Sequence, residues 1–447
     1  MWLWGTWVGQ TGTSTATELL NAGASDEWDA FGDFGDPESA TPSDEAAMPL
    51  GVRLRLHGFA EAAASSRVVE DDQSSDDFLL GEARGRLEVG AERGAAKGRL
   101  KLDFIGDAVA EEARLDLREI WVDYSVGLHF SVRAGRQILT WGTGDFLFLN
   151  DLFPKDFQSF FLGRSDEFLK APSDSLKASV FFRGVSLDFV WTPIFAPDVF
   201  ISGERLSFFL PPRAELVGPS SEVTPVESVL PEKDLENGEF AARIYGNVSG
   251  WEWALYAYVG FFKQPLAFDP VSEQLTHTRL VAPGASLRGL LFGGVLSLET
   301  SYYHSVDDAP GTDPFVPNSQ FRGLAGYEFE VLPKFTVSFQ YFIEWTLNHD
   351  ALIENSPFPE VEPDRLRHVV TTRVTYLLLS DNLRFSLFGF ASPSDVDAHL
   401  RPSISYKLTE ALEAVVGGIV LFGRDDFTFF GQLERNTSVY GRMRYSF

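Results

Sequence analysis

The sequence predicts an all-β fold: a transmembrane antiparallel β-barrel of about 18 strands (roughly 16–18), with long external loops and short periplasmic turns. Three observations predict it. Hydrophobic and polar residues alternate in many segments after residue 50, short and long links alternate between these segments, and aromatic residues make up 14% of the 447 residues. Each barrel strand turns one face to lipid and the other to the lumen, so it requires this alternation.

Composition excludes several other classes of protein. Hydrophobic residues make up 44% of the chain, but the mean hydropathy is -0.06 and no run of about 18 apolar residues exists, which excludes a transmembrane helix. The chain has no cysteine, which excludes disulfides, thiolate metal sites and covalent haem attachment. We therefore expect neither a metal nor a cofactor. A cysteine-free chain also suits the oxidising periplasm.

The predicted strands show a period of two residues. Leu100, Leu102 and Phe104 alternate with Arg99, Lys101 and Asp103. Similar alternation covers residues 185–192, 251–256, 335–345 and 403–408. The apolar row of each strand is expected to contact lipid and the polar row to face the lumen.

The links between strands alternate in length. Short turns are predicted near residues 91–94, 126–127, 183–184, 249–250, 292–293, 332–333, 380–382 and 408–410. Longer links are predicted at 65–76, 108–112, 141–174, 193–237, 263–275, 306–317, 349–363, 392–396 and 422–435. Outer-membrane barrels alternate in this way because their periplasmic turns are short and their external loops long. The barrel, residues 51–447, is thus expected to have both ends on the periplasmic side.

The end of the chain is expected to form the closing strand. Residues 439–447 alternate between apolar or small residues and polar ones, and the last residue is aromatic. This ending resembles the closing strand of bacterial outer-membrane barrels, which the barrel-assembly machinery recognises. The resemblance implies that Met443, Tyr445 and Phe447 form the assembly signal.

Residues 1–50 are predicted to be a separate, largely disordered periplasmic segment. The net charge of the chain is -27, and the first 52 residues contain acids but no Lys or Arg, so nucleic acid is a poor partner. Alternatively, Trp28, Phe31 and Phe34 anchor a periplasmic partner, with the neighbouring acids giving specificity. Residues 1–8 lack the basic start and long apolar stretch of a secretory signal, so either the start is misassigned or the signal has been removed.

One group of motifs lies between residues 113 and 195. The shared residues are Leu117, Arg118, Glu119, Trp121, Asp123, Tyr124, Gly135, Arg136, Gln137, Trp141, Gly142, Asp145, Asp151, Pro154 and Asp156. With them the chain resembles a porin-like family of Gram-negative outer-membrane proteins of unknown function. The pattern is also loosely similar to alginate-export and phosphate-selective porins. Phe153 stands where the family more often has Asn. The resemblance implies a porin-like barrel but does not identify a solute.

The link 141–174 is predicted to be the third external loop and to fold into the barrel. Loops of this length are usually functional or disordered, and its many Phe residues require burial. Its charged residues would then line or latch a constriction. The candidates are Asp145, Asp151, Asp156, Arg164, Asp166 and Glu167. The alternative is an outer lid over the mouth of the barrel.

Strands 4 and 5 are expected to provide the wall facing this loop. The alternation changes phase near Arg118 and Glu119, which predicts a β-bulge. In one plausible register, Glu119 faces Arg133 and Asp123 faces His129, with Arg136 near the upper end. These charges form either a selectivity ladder opposite the loop acids or ion pairs that brace a wide barrel.

The sequence therefore predicts a bacterial outer-membrane channel for passive uptake or export of small solutes, constricted by the third external loop. Its expected partners are outer-membrane lipid and lipopolysaccharide, the assembly machinery and a periplasmic protein at the N-terminal segment. The alternative function is a structural barrel that holds a partner such as a multihaem cytochrome. An enzyme is not expected, because the seven His residues form no recognised catalytic motif.

Overall fold

The barrel closes through pairing of its first and last strands. The computed structural model describes Ala46–Ala47, residues 51–210 and residues 213–447. In this part of the chain, 18 antiparallel barrel strands follow one another in sequence order, each hydrogen-bonded to the next. The first strand also pairs with the last, so the sheet has no free lateral edge along the paired length. The predicted fold class is confirmed.

The barrel strands are numbered here in chain order. They are β1 (Arg53–Arg67), β2 (Phe78–Arg93), β3 (Ala96–Asp107), β4 (Glu112–Val126), β5 (Phe130–Gln137), β6 (Ser173–Phe182), β7 (Val185–Thr192), β8 (Glu239–Val248), β9 (Trp251–Phe261), β10 (Arg279–Leu291), β11 (Gly294–Ser305), β12 (Gln320–Leu332), β13 (Phe335–Thr346), β14 (Leu366–Leu378), β15 (Leu383–Ser392), β16 (Asp397–Lys407), β17 (Leu412–Gly423) and β18 (Ser438–Ser446).

The seam between β1 and β18 has a continuous register. Phe59 lies opposite Ser446, and Arg67 lies opposite Ser438. Beyond this ladder, Gly58 and Phe447 exchange two backbone hydrogen bonds of 2.9 Å. The short strand Ala46–Ala47 pairs with the start of β1. Since the strand number is even, both ends of the barrel lie at the rim that carries the short turns.

Connections at the two rims differ as predicted. Short turns follow every even-numbered strand up to β16, at residues 94–95, 127–129, 183–184, 249–250, 292–293, 333–334, 379–382 and 408–411. The opposite rim carries residues 68–77, 108–111, 138–172, 193–238, 262–278, 306–319, 347–365, 393–396 and 424–437. The predicted alternation in length holds at most connections, but residues 108–111 and 393–396 are as short as the turns 379–382 and 408–411.

Small elements lie within these connections. The helices are α1 (Phe157–Phe161) and α2 (His349–Asn355), with 3-10 turns at Asp166–Leu169, Leu235–Asn237 and Gly431–Asn436. Short strands occupy Phe208–Leu210, Glu215–Val217, Ser228–Val229, Ala267–Asp269 and Gln274–Thr276. Neither helix in the described residues has the length and hydropathy of a membrane span.

The two faces of the wall differ in polarity. On β3, Phe104 exposes 55% of its surface on the outer face, whereas Asp103 on the inner face is fully buried. On β18, Met443 and Tyr445 are exposed on the outer face, and Arg444 between them points inward. An apolar outer face and a polar inner face are what a barrel in lipid requires.

Two long connections fill part of the interior. We call residues 138–172 the β5–β6 segment. Its Phe160, Phe161 and Leu162 belong to one hydrophobic cluster with Leu206 and Phe208 of residues 193–238. The same cluster includes inward residues of the wall: Leu324, Phe342, Val369, Phe388, Phe390, Ile419 and Leu421. Burial of these side chains against the wall stabilises the position of the segment.

Candidate functional site

The β5–β6 segment begins with a turn that wraps around a wall carboxylate. Glu299 on β11 accepts hydrogen bonds from the Thr143 backbone N–H at 2.6 Å and from its hydroxyl at 3.0 Å. It also accepts from the backbone N–H of Asn150 at 3.0 Å and from its side-chain amide at 2.9 Å. One wall residue thus holds both ends of residues 143–150.

Further along the segment, Asp145 pairs with the wall at β14. Its Oδ1 accepts a hydrogen bond of 2.6 Å from Nη2 of Arg373, and its Oδ2 accepts a second bond from the same guanidinium. The backbone N–H of Asp145 donates to Gln340 on β13 at 3.1 Å. Phe146 and Phe388 lie 5.0 and 4.8 Å from the guanidinium of Arg373. The bidentate pair and the two rings fix the arginine in one orientation.

The 3-10 turn Asp166–Leu169 brings two more carboxylates to the wall. Asp166 pairs with Arg401 on β16 at 2.9 Å. Glu167 bridges Arg86 on β2 at 2.5 Å and Arg444 on β18 at 2.6 Å. Burial opposes ionisation of Glu167, but Arg444 and Arg86 outweigh it and lower the pKa of this carboxyl to about 2. Glu167 is therefore a carboxylate at physiological pH.

Arg164 connects the segment to a buried charge network on β2 and β3. Its guanidinium lies 2.8 Å from Glu82, which also pairs with Arg84 at 2.7 Å. Asp103 accepts from Arg84 at 2.7 Å and from Arg86 at 2.6 Å. Each charge in this network has an opposite charge in contact, which offsets the cost of its removal from water.

Most hydrophobic residues of the segment are buried, as the sequence predicted. Leu149, Phe153, Phe160 and Phe161 are buried, and Phe146, Phe148 and Phe157 are partly buried against the interior cluster. These residues contact inward-facing side chains of the wall rather than one another alone.

Two of the predicted constriction residues instead stabilise the segment itself. Asp151 accepts from Thr140 at 2.6 Å and pairs with Lys155 at 2.9 Å. Asp156 is the N-cap of α1 and accepts from the backbone N–H of Ser159 at 2.7 Å. Their contacts hold the shape of residues 140–159.

Asp198 joins the β5–β6 segment to residues 193–238. It accepts a hydrogen bond of 2.7 Å from the backbone N–H of Lys155, and its own N–H donates to the carbonyl of Lys263 at 2.9 Å. Burial raises the pKa of Asp198 to about 6, although Lys155 opposes this. The carboxyl of Asp198 is therefore mostly neutral below about pH 6 and mostly charged above it.

Asp198→Asn is expected to make the protein more stable above pH 6. The raised pKa contributes stability that is fully present below pH 3.8 and is lost as pH rises through about 6. Asn keeps the acceptor for Lys155 without the buried charge, so the loss of about 2–3 kcal/mol should disappear. Urea midpoints in detergent at pH 4.5 and 7.5 measure this. Exposed Asp72→Asn is the control, and equal pH dependence in wild type and Asp198→Asn would contradict the assignment.

On strands β4 and β5, the bulge is confirmed but the predicted register is wrong. Lys101 lies opposite Glu119 and Leu102 opposite Leu117, so Arg118 is the extra residue. Asp123 faces Arg133, at 3.1 Å, and not His129. Glu119 faces Lys101 on β3, at 3.2 Å, and not Arg133. The turn occupies residues 127–129 rather than 126–127, so the partner of Asp123 lies four residues further along the chain than predicted.

Arg133 and Arg136 lie on opposite faces of β5. Arg133 stacks over Trp121 on the inner face, with the guanidinium 4.0 Å from the ring centroid. Arg136 shares the outer row with Ile120 and Asp174, and it donates to the carbonyl of Leu117 at 2.8 Å. Arg136 is thus placed outside the ion pairs of the lumen.

The principal residue that the sequence analysis missed is Glu299. It lies on an alternating strand like many other polar residues, and no local pattern marks it. Its four donors come from residues about 150 positions earlier in the chain. The predicted docking residues Trp28, Phe31 and Phe34 lie outside the described residues.

Comparison with known proteins bears on the fold. No protein-family model and no curated protein matches the chain. Among solved structures, Pseudomonas aeruginosa OccK2 (OpdF) in complex with glucuronate is 10% identical, with a TM-score of 0.53 over 88% of this chain and 97% of that one. Pseudomonas aeruginosa OccD3 (OpdP) is 9% identical, with a TM-score of 0.51 over 88% and 90%. Acinetobacter baumannii OccAB3 is 9% identical, with a TM-score of 0.50 over 88% and 99%. The chain therefore has the 18-stranded barrel fold of outer-membrane porins.

Proposed function

We propose that this protein is an outer-membrane channel for passive movement of small solutes, and that the β5–β6 segment narrows its pore. One observation carries the proposal. Acids of a single segment pair with inward arginines on strands at separate positions around the wall: Arg373 on β14, Arg401 on β16, Arg444 on β18 and Arg86 on β2. β14 lies halfway round the 18-strand wall from β5, where the segment begins, and this placement supports a segment that crosses the lumen.

The ion pairs of the segment border space that water reaches. The side chains of Asp166, Asp145 and Glu167 are 45%, 30% and 27% exposed, whereas the wall charges of the Glu82–Arg84–Asp103 network are nearly inaccessible. A permeating ion would meet carboxylates on one side and guanidinium groups on the other. Such rings of charge set selectivity in narrow pores.

The remaining predicted partners belong to the same proposal. The exposed aromatic and aliphatic residues of the outer face contact lipid and, at the rim with the long connections, lipopolysaccharide. Met443, Tyr445 and Phe447 lie exposed at the end of β18 and form the sequence that the barrel-assembly machinery recognises.

Recordings from a planar lipid bilayer test the channel. Wild type is expected to show discrete open steps, with an ion selectivity that the Asp145–Arg373 pair controls. Asp145→Asn should shift the reversal potential toward anion preference, and Arg373→Gln should shift it toward cations, each by roughly a twofold change in permeability ratio.

The matched control is Asp381→Asn, which removes a carboxylate from an exposed pair with Lys334 at the short-turn rim. Its selectivity should equal that of wild type. A correctly inserted protein that never conducts would overturn the channel. Conductance with the same selectivity in all four proteins would overturn the assigned constriction.

A further inference from the structure

Glu299 is a buried carboxylate of the lumen whose partners are hydrogen-bond donors rather than cations. It is 4% exposed and lies on the inner face of β11. In residues 51–210 and 213–447, it takes part in hydrogen bonds with Thr143 and Asn150 but in no ion pair with a cation. The acids Asp145, Asp166 and Glu167 of the segment, by contrast, pair with wall arginines. Burying a carboxylate whose only partners are N–H and O–H donors costs folding free energy, unless the structure holds those donors in place.

The backbone of the segment is shaped to hold those donors. Gly142 has a φ of +88°, and a Cβ there would lie 2.8 Å from the Glu299 carboxylate. On the wall, Gly284 faces Asn150, and a Cβ there would lie 1.8 Å from the Asn150 Oδ1 atom. Both positions need glycine, because a side chain at Gly142 would push the segment away from Glu299 on β11 and one at Gly284 would push Asn150 away from β10.

We propose that Thr143 and Asn150 form a carboxylate-binding cradle, and that Glu299 is the positioning residue that holds the β5–β6 segment in the pore. The proposal rests on the proposed function. Oε2 of Glu299 accepts from the backbone N–H and the hydroxyl of Thr143, and Oε1 accepts from the backbone N–H and the side-chain amide of Asn150. The segment is therefore fixed at residues 143–150 by an anion, and downstream by its own acids on the wall arginines.

The test uses the full chain and replaces the carboxylate by a small anion. Glu299→Ala leaves the cradle empty, so single-channel conductance should rise roughly twofold. Replacing chloride by formate at constant ionic strength should return it toward the wild-type value, because formate offers the same two oxygens to the cradle. Glu299→Gln should respond to formate no more than wild type does, since its amide fills the cradle and sets an NH₂ group against the donors.

Glu344→Ala is the matched control. Glu344 is an inward carboxylate on β13 that pairs with Arg322 on β12 at 2.9 Å, within the wall. Formate is less mobile than chloride, so the conductance of Glu344→Ala should change only as much as that of wild type. If Glu299→Ala does not fold, as judged by the absence of a heat-modifiable band on a gel, Thr143→Val is measured in its place. Valine has nearly the size of threonine and removes one of the four donors, so a smaller rise in conductance is expected.

A second measurement separates this proposal from the channel itself. Hydrogen exchange at the Thr143 and Asn150 amides should become at least about tenfold faster in Glu299→Ala and slow again in formate. Hydrogen exchange does not require a conducting pore. It therefore tests the role of Glu299 even if the bilayer recordings contradict the proposed channel. Unchanged exchange in Glu299→Ala would overturn the role of Glu299 and leave the proposed channel intact.

Discussion

Glu167→Gln is expected to widen the pore and make it more anion-selective. The carboxylate of Glu167 bridges Arg86 and Arg444, and a neutral amide cannot balance two guanidinium groups. The two arginines should then repel each other and present their charge to the lumen. We expect a conductance increase of roughly twofold and a reversal potential shifted toward anion preference, measured in a planar bilayer with a salt gradient.

The pH dependence gives this prediction a second readout. Because the pKa of Glu167 is lowered from 4.5 to about 2, its contribution to stability is fully present above pH 4.5 and is lost as pH falls to about 2. The shift corresponds to about 3 kcal/mol. Wild type should therefore lose stability and selectivity over this range, and Glu167→Gln should lack that transition.

Glu222→Gln makes the same chemical change at an exposed position in residues 193–238 and serves as the control. It should behave as wild type at every pH. If Glu167→Gln kept the conductance and selectivity of wild type at neutral pH, the bridge would have no part in the constriction.

Gly135→Ala is expected to disrupt the barrel wall. Gly135 on β5 has a φ of +131°, and a Cβ there would lie 2.2 Å from the carbonyl oxygen of Ile120 on β4. The backbone must move or the strands must separate. Strained backbone alone costs about 1–3 kcal/mol, and the clash with a neighbouring backbone adds to it. Refolding yield in detergent, read from heat-modifiable mobility on a gel, should fall sharply.

Gly85→Ala on β2 is the matched control. A Cβ at Gly85 meets no atom within 4 Å, and the residue has no positive φ. The same added methyl group should therefore leave the refolding yield unchanged. Equal yields for the two variants would show that β4 and β5 tolerate a side chain at Gly135 and would contradict the assigned strain.

The same glycine shows what a local sequence pattern predicts and what it leaves open. A strand is predicted between the short turn near 126–127 and the long link 141–174, because each barrel strand runs from one rim to the other. The pattern did not show that Gly135 adopts a positive φ or that Arg136 turns to the outer face. Those features depend on the β4 backbone beside it, which carries the bulge at Arg118.

Contacts between distant parts of the chain explain most of the remaining differences between the predicted and the observed site. The number of Phe residues in the link 141–174 was enough to predict their burial, since apolar rings on a long loop need cover. The choice of Asp145, Asp166 and Glu167 as constriction residues followed from residue type, which did not separate them from Asp151 and Asp156. Their individual partners did not follow from it, because Arg373 lies 228 residues after Asp145 and Arg444 lies 277 residues after Glu167.

The Glu167 bridge also bears on the order in which the molecule is assembled. Arg86 on β2 and Arg444 on β18 flank β1, so Glu167 spans the seam between the first and last strands. Before β18 docks, Glu167 can pair with Arg86 alone. The last strand to be synthesised thus completes both the cylinder and the docking of the β5–β6 segment. An insertion intermediate with an unzipped seam would hold this segment loosely, and its lumen would be wider than that of the finished protein.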